Sequence, residues 1–409
     1  MTGSADRMKR DMGGKLRSVT LIALAQVAAL SVWFSSAAVL PDLEAQLALS
    51  GVRKAAYTSA VQLGFVVGAL TSAILNLADR FDPRRVFALS ALAAGAANAG
   101  LLLLDPAGQG AIALRFLTGA ALAGVYPVGL KLAAGWGQRD RGLLVGLLVG
   151  ALTLGSAMPH LISGLSPVGW QGVILATSIA SVLAALLIVF AALGPFHAGS
   201  EGFRPERALL TWTDRRLRLV NLGYLGHMWE LYAMWAWIGA AVAAGGVLTP
   251  ATQASGGALV AFAVIAAGAV GCIAAGLWAD RIGKAEVTIL AMAASGSCAI
   301  LTGIFFEGPA WLLLPILLVW GVTIVADSAQ FSALIADYAP KGSTGTMLTM
   351  QTCQGFLLTA ITVQAMPAAA NWLGWPWALA LLALGPLGGI FAMKRLGRPP
   401  AARDVENYR

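Results

Sequence analysis

Twelve stretches of about 20 mostly apolar residues follow one another along the chain, separated only by short polar breaks. Their approximate spans are 18–40, 55–78, 86–104, 109–134, 142–165, 170–193, 219–245, 253–279, 287–306, 310–336, 344–366 and 375–393. At 1.5 Å per residue, a helix of that length covers ~30 Å, the hydrocarbon thickness of a bilayer. The composition agrees, with 58% hydrophobic and 11% charged residues in 409 and a mean hydropathy of +0.77, where a soluble domain carries about a quarter charged. Soluble enzymes, nucleic-acid binders and disordered scaffolds are set aside together. The expected fold class is an all-α membrane protein of twelve transmembrane helices. The first span follows a basic stretch but is too long for a signal peptide and lacks its small-residue cleavage site, so it reads as a retained helix.

Orientation follows from the basic residues, which stay near cytoplasmic helix ends. Of 27 Lys and Arg, 23 fall in the N-terminal tail, the even-numbered breaks and the C-terminal tail. Only Arg53 and Lys54 fall in the opposite breaks, and Arg115 and Lys131 lie inside the fourth span. Both termini are therefore expected in the cytoplasm. The net charge of +8 belongs to loops over an anionic membrane surface rather than to a nucleic-acid site.

The longest polar break, 194–218, mixes Gly, Pro and both charge signs and reads as a cytoplasmic linker. It divides the chain into an N-terminal six-helix bundle, 1–193, and a C-terminal bundle with a short tail, 219–409. The halves resemble each other. Asn76-Leu-Ala-Asp79-Arg80-Phe follows the second span and Gly276-Leu-Trp-Ala-Asp280-Arg281-Ile-Gly283-Lys284 follows the eighth, 201 residues on. The same offset lays Asp140-Arg141-Gly142 over Lys341-Gly342-Ser343. Internal duplication of a six-helix unit is a transporter architecture, with the substrate path between the halves.

These loops resemble the major facilitator superfamily. Its Gly-x-x-x-Asp-Arg-x-Gly-Arg/Lys element is matched at each fixed position by Gly276, Asp280, Arg281, Gly283 and Lys284, and the first half keeps Asp79, Arg80, Arg84 and Arg85. The first copy departs at Leu75 and at Asp82-Pro83. Arg115-Phe-Leu-Thr-Gly119 resembles the family's Arg-x-x-x-Gly element. The resemblance implies two pseudo-symmetric six-helix bundles, a monomer without cofactors, a small-molecule substrate and alternating access. Independently of the family, a carboxylate at a helix end with Arg and Lys a few residues on can latch one packing arrangement, so Asp79, Arg80, Asp280, Arg281 and Lys284 are the expected cytoplasmic gate.

Acidic residues inside the spans reduce to Glu230 and Asp327, and an ionisable group there costs at least ~2.5 kcal/mol to insert. His227 and Glu230, one helical turn apart, can share a proton in a range suited to gradient coupling. Glu230, Asp327 and His227 are the proton-coupling candidates; a structural hydrogen-bonded pair is the competing reading. Arg115, Tyr126 and Lys131 in the fourth span, with Trp229 in the seventh, are candidates for the substrate path. Lys131 alternatively snorkels to the headgroups. The eleventh span is rich in Thr and Gln, with Gln351 and Gln354 expected to line the path. Positive charge in one half and negative in the other suits a small organic anion or a zwitterion moving with a proton.

Met347, Met350 and Cys353 are soft ligands at i, i+3 and i+6, which leaves a Cu(I) importer as an alternative. The three cysteines, Cys272, Cys298 and Cys353, lie in apolar runs without disulfide spacing. No phosphate-binding Gly-x-x-x-x-Gly-Lys-Ser/Thr sequence occurs, so energy is expected from an ion gradient. Neither His160 nor His227 has a nucleophile or metal-ligand partner at useful spacing, so an enzyme is not expected. A non-transporting nutrient sensor on the same fold is the remaining alternative.

Overall fold

In a computed structural model the chain is described over residues 2–47, 49–137, 140–165, 168–197, 199, 202–245 and 253–396. Arg139 and the basic residues beyond 396, which enter the charge bias, lie outside the described residues. The described elements are all helical. Among the described residues, ten segments are long and apolar enough to cross a membrane. One of them, Thr344–Leu396, is 53 residues long and folds back at Gly374, whose φ of 78° is open to glycine without strain. Arg215–Ala244 runs beside the others as a 30-residue helix and falls short on composition because Asn221, His227, Glu230 and its indoles dilute the apolar residues. Dividing the long segment and adding this helix gives the twelve crossings expected.

The first crossing is α1 (Thr2–Leu30) and α2 (Ser35–Gln46); the second is α3 (Gly51–Ile74), followed by the short α4 (Leu77–Arg80). The third is α5 (Pro83–Ala99), the fourth α6 (Gln109–Leu122) and α7 (Tyr126–Ala134), the fifth α8 (Arg141–Leu165) and the sixth α9 (Gly169–Val189). After the linker, with its single-turn α10 (Leu210–Thr213), come α11 (Arg215–Ala244), α12 (Gln253–Ile282) and α13 (Lys284–Phe305). The tenth crossing is α14 (Ala310–Ile324) and α15 (Ser328–Tyr338), the eleventh begins α16 (Thr344–Ala380), and the twelfth continues into α17 (Leu384–Leu396).

The second helix runs from 51 rather than 55 and stops at 74 rather than 78. Ser50 caps its start by accepting from the Arg53 amide, and Asn76, at φ 52°, turns the chain out of it. An apolar window is blind to both signals, because a capped first turn tolerates Arg53 and Lys54.

The duplication is visible in the packing. A Cβ on Gly119 in α6 would lie 2.0 Å from the Val61 carbonyl oxygen of α3, and one on Gly321 in α14 would lie 1.9 Å from the Val264 carbonyl oxygen of α12. Each half thus presses its second helix onto its fourth at several glycines, of which Gly119 and Gly321 correspond, 202 residues apart. The fourth and tenth crossings also break in matching register, at Ala123 to Val125 and at Val325 to Asp327. Interruptions at corresponding places in two halves mark the neighbourhood of a transporter's binding site.

The halves meet along two seams. On one, α8 lies on α12, where a Cβ on Gly146 would stand 3.1 Å from the Cys272 carbonyl oxygen. On the other, α3 lies on α16: Ser59 donates to Gln364 Oε1 at 3.1 Å and Gln364 Nε2 donates to the Val52 carbonyl at 3.0 Å, at the face opposite the linker. Large side chains such as Trp311, Trp372 and Leu103 stand exposed on the outer surface, where lipid would meet them.

Candidate functional site

The first crossing unwinds at residues 31–34, leaving backbone carbonyls without helical partners in the protein interior. Arg115 supplies the donors. Its guanidinium, with no exposed surface, donates to the carbonyls of Val32 (3.1 Å), Trp33 (2.6 Å) and Tyr57 (3.3 Å), to Ser35 Oγ (3.2 Å) and to Asn98 Oδ1 (2.9 Å). None of these acceptors is a carboxylate. The countercharge is the negative end of α1, where unpaired carbonyls concentrate partial charge. Arg115 therefore clamps the break, and its donors are engaged rather than directed at a substrate.

The break turns Trp33 and Phe34 into the middle of the molecule. Trp33 stacks on Tyr232 of α11 at 5.9 Å between ring centroids and packs on Phe65 of α3 at 5.0 Å and Phe356 of α16 at 5.4 Å. Phe34 stacks on Tyr232 at 5.9 Å and meets Trp235 edge-on at 5.8 Å. Six rings from both halves form this cluster, none more than 2% exposed. Among the aromatic residues of α11, Tyr232 and Trp235 belong to it, whereas Trp229 does not. A Cβ on Gly385 in α17 would lie 2.8 Å from the Trp229 ring, so that indole lies against the twelfth crossing rather than within the ring cluster. Helical phase allows this: at 100° per residue Trp229 lies only 60° from Tyr232 but 120° from Trp235, on the flank of α11 that meets the twelfth crossing. Trp33, Phe34, Phe65 and Phe356 were not anticipated from sequence, because an isolated ring in an apolar window carries no positional signal.

The intramembrane carboxylates find separate partners. Asp327, at the tenth-crossing break, has Oδ1 2.8 Å from His227 Nδ1, with both side chains at most 2% exposed; the two atoms touch without meeting at a hydrogen-bonding angle. Glu230 accepts from Trp320 Nε1 at 2.7 Å and from Ser295 Oγ at 2.9 Å. His227 therefore partners Asp327 across to another helix, and the expected sharing of a proton with Glu230 along one helix face is not what the structure holds. Lateral contact between helices has displaced the intrahelical pair. Glu230 points into the C-terminal bundle, away from the rings.

Lys131 neither snorkels nor faces a path. Its ammonium donates to Asp79 and to the Ala78 carbonyl, tying the end of the fourth crossing to the loop after the second. In the other half, Lys284, which opens α13 just after the eighth crossing, pairs with Asp337 near the end of the tenth at 2.6 Å. Each latch ties the region after a half's second crossing to the end of its fourth, with opposite polarity and from different motif positions, since Asp79 matches Asp280 and Lys284 matches Arg84. Arg80, Asp280 and Arg281 of the expected gate are exposed. The linker spans both halves on this face. Phe196 N donates to the Gly135 carbonyl (3.0 Å), Arg204 N to Thr346 Oγ1 (2.9 Å) and Arg207 to the Lys341 carbonyl (2.9 Å) and Ser343 Oγ (2.7 Å).

Tyr126 opens α7 just after the fourth-crossing break, in the place that Ser328, one residue past Asp327, holds at the start of α15. Gln351 is buried and its Nε2 has no partner, as has Gln354 Oε1. Met347 is buried, Met350 is half-buried, and Cys353 turns its thiol to the Val66 carbonyl oxygen at 3.9 Å. At 100° per residue the soft-ligand stripe spreads over 120° of the helix, and among the described residues no cluster of three His, Cys, Asp or Glu stands together.

Curated relatives are matched over more than two thirds of their own length. A 38 kDa protein encoded in the 23S RNA operon of Thermoproteus tenax is 29% identical over 84% of this chain and 88% of its own. An MFS-type transporter of Mycobacterium tuberculosis is 26% identical over 77% of this chain and 70% of its own. Among solved structures, the xylose transporter XylE from E. coli, partially occluded and inward open, superposes with a TM-score of 0.72 at 12% identity, covering 94% of this chain and all of that one. The human organic anion transporter MFSD10 gives 0.68 at 15% identity, over 93% and 99%. At such identities the likeness is one of fold. The family model of the Major Facilitator Superfamily matches residues 22–362, and the chain, a multi-pass integral membrane protein, belongs to that superfamily.

Proposed function

We propose that this secondary transporter accumulates a small solute by alternating access and couples the movement to protons through Asp327, His227 and Glu230. The observation that carries the proposal is the contact of Asp327 with His227 at the break in the tenth crossing. A carboxylate and an imidazole 2.8 Å apart in the interior exchange charge states with one proton, and a broken helix is a place where that change can shift packing. Residues 1–193 and 219–409 act as the two rocking halves, joined by the linker, in a single chain whose termini lie in the cytoplasm by the bias of basic residues. The reading names no catalytic group, in keeping with a transporter rather than an enzyme.

An anionic or zwitterionic solute would need a cation free to meet it. Arg115 donates to five other acceptors and Lys131 is held by Asp79, so the geometry gives less support to that choice than to the coupling itself. Uptake of a mixed metabolite pool into proteoliposomes, with and without an inward proton gradient, tests the proposal. Wild-type protein should accumulate a solute only with the gradient, and the Glu230→Gln, Asp327→Asn double variant should not. Equal gradient-driven uptake by both would remove the proton sites, and no uptake of any solute would remove the transporter reading.

A further inference from the structure

The rings at the centre carry information about what they bind. Trp33 Nε1 donates to Gln62 Oε1 at 3.1 Å, which turns the other end of that amide, Nε2, into a donor without a partner. Trp235 Nε1 is likewise unpartnered. Gln62 is fully buried and Trp235 is 1% exposed, so neither donor is satisfied by bulk solvent, and a buried donor left unpaired is costly enough that such positions are ordinarily filled. One comes from α3 and the other from α11, so the two halves each present a neutral N–H donor beside one shared aromatic cluster.

We propose that this cluster, whose rings close on one another in this structure, is the recognition site for an uncharged, ring-bearing solute with a carbonyl-type acceptor, which takes the place of those ring–ring contacts when the halves part and accepts from Gln62 Nε2 and Trp235 Nε1. This rests on the transporter reading above and names its substrate class. Aromatic faces and edges reward a flat apolar body. Two free donors demand an acceptor and repel a cation, which the rings alone would welcome. A carboxylate would satisfy the donors but carries a charge that neutral N–H groups do not offset in a dry interior, and the guanidinium behind the break is already spent on backbone carbonyls. The surviving class is the neutral one.

Equilibrium dialysis of the purified full-length protein against a matched series tests this: 2-naphthamide, 2-naphthoate and naphthylmethyl-trimethylammonium, each read as excess over micelles alone. The amide should bind at least about tenfold more tightly than either ion. Trp235→Phe, which keeps a ring and removes the donor, and Gln62→Met should each weaken amide binding by about fivefold, with thermal unfolding of both variants checked to confirm the fold. Tighter binding of the naphthoate or the ammonium, no binding of the amide, or equal amide binding by wild type and both folded variants would overturn the assignment. The pooled uptake assay reads the transporter proposal separately. Amide binding without uptake of any solute there would sink transport and leave the site, whereas gradient-driven uptake of carboxylates with the amide unbound would do the reverse.

Discussion

His227 and Asp327 lie 2.8 Å apart at the interruption of the tenth crossing, one side chain from each of two helices and both buried. Replacing Asp327 with Asn removes the charge and keeps the shape. Accumulation driven by a proton gradient is expected to fall at least about tenfold, the size of a lost coupling free energy of ~1.4 kcal/mol, while solute exchange at equal pH persists. Parallel loss of exchange and accumulation would mean that Asp327 serves binding or folding instead of coupling.

Arg115 is the cation that holds together the helix break at residues 31–34. Arg115→Ala would leave the carbonyls of Val32, Trp33 and Tyr57 and the Asn98 amide oxygen short of donors, a loss of about 3 kcal/mol or more. Arg115→Lys should recover part of it, since an ammonium offers three donors where the guanidinium fork offers five. Size-exclusion profiles after graded heating would rank the three proteins, and an Ala variant as stable as wild type would contradict the clamp.

The glycine contacts predict a matched pair of defects. Gly119→Ala and Gly321→Ala each push a methyl onto a neighbouring backbone carbonyl, and each should destabilise by about 1–3 kcal/mol as overpacking does. Gly388→Ala, where a methyl meets nothing within 4 Å, should be neutral or gain up to about 1 kcal/mol in helix propensity. The same heating series measures all three, and the prediction fails if Gly388→Ala is the worst of them.

A double-mutant cycle addresses the half-exposed Lys284 and Asp337. Single neutralisations should each change stability by less than about 1 kcal/mol, as exposed ion pairs do, yet alter cysteine-labelling access at the linker face. Exchanging the two residues should restore the wild-type labelling pattern. Labelling that ignores both the single changes and the exchange would leave this pair without a gating role.

Asp82 caps α5 and accepts from the Arg84 side chain and amide, and the Arg84 hydrogen bonds hold its carboxyl below its ordinary value of 3.8. A depressed folded value means that the stabilisation is complete above the unfolded value and is lost as pH falls through the folded one. Thermal stability below about pH 4 should therefore decline less steeply in Asp82→Asn than in wild type. Identical slopes would show that the capping charge is immaterial.

The number of crossings, the duplication and the identity of the buried ionisable residues were legible in the sequence, because each is a composition or spacing signal that hydrocarbon enforces. Pairings were not. Lys131 reads equally as a snorkelling or a path residue until Asp79 is brought beside it, and His227 lies on the same strip of α11 as Glu230 until Asp327 arrives from another helix. Arg115 was visible as a buried cation, but its partners are backbone carbonyls, which every residue possesses and no sequence distinguishes. The aromatic cluster depends on the kink at residues 31–34, where Ser-Val-Trp-Phe carries neither Gly nor Pro to announce it.

The two latches fasten corresponding corners with different members of one motif. In the register of the repeats Asp79 matches Asp280, and Lys284 matches Arg84 once the extra residue of the first copy is allowed for, so neither pair is the image of the other. Whatever ancestral repeat gave rise to the chain, the halves now draw their fastening from separate parts of an inherited set. A motif held in common therefore tells where a half is tied down, and the partner brought beside it decides which residue does the tying.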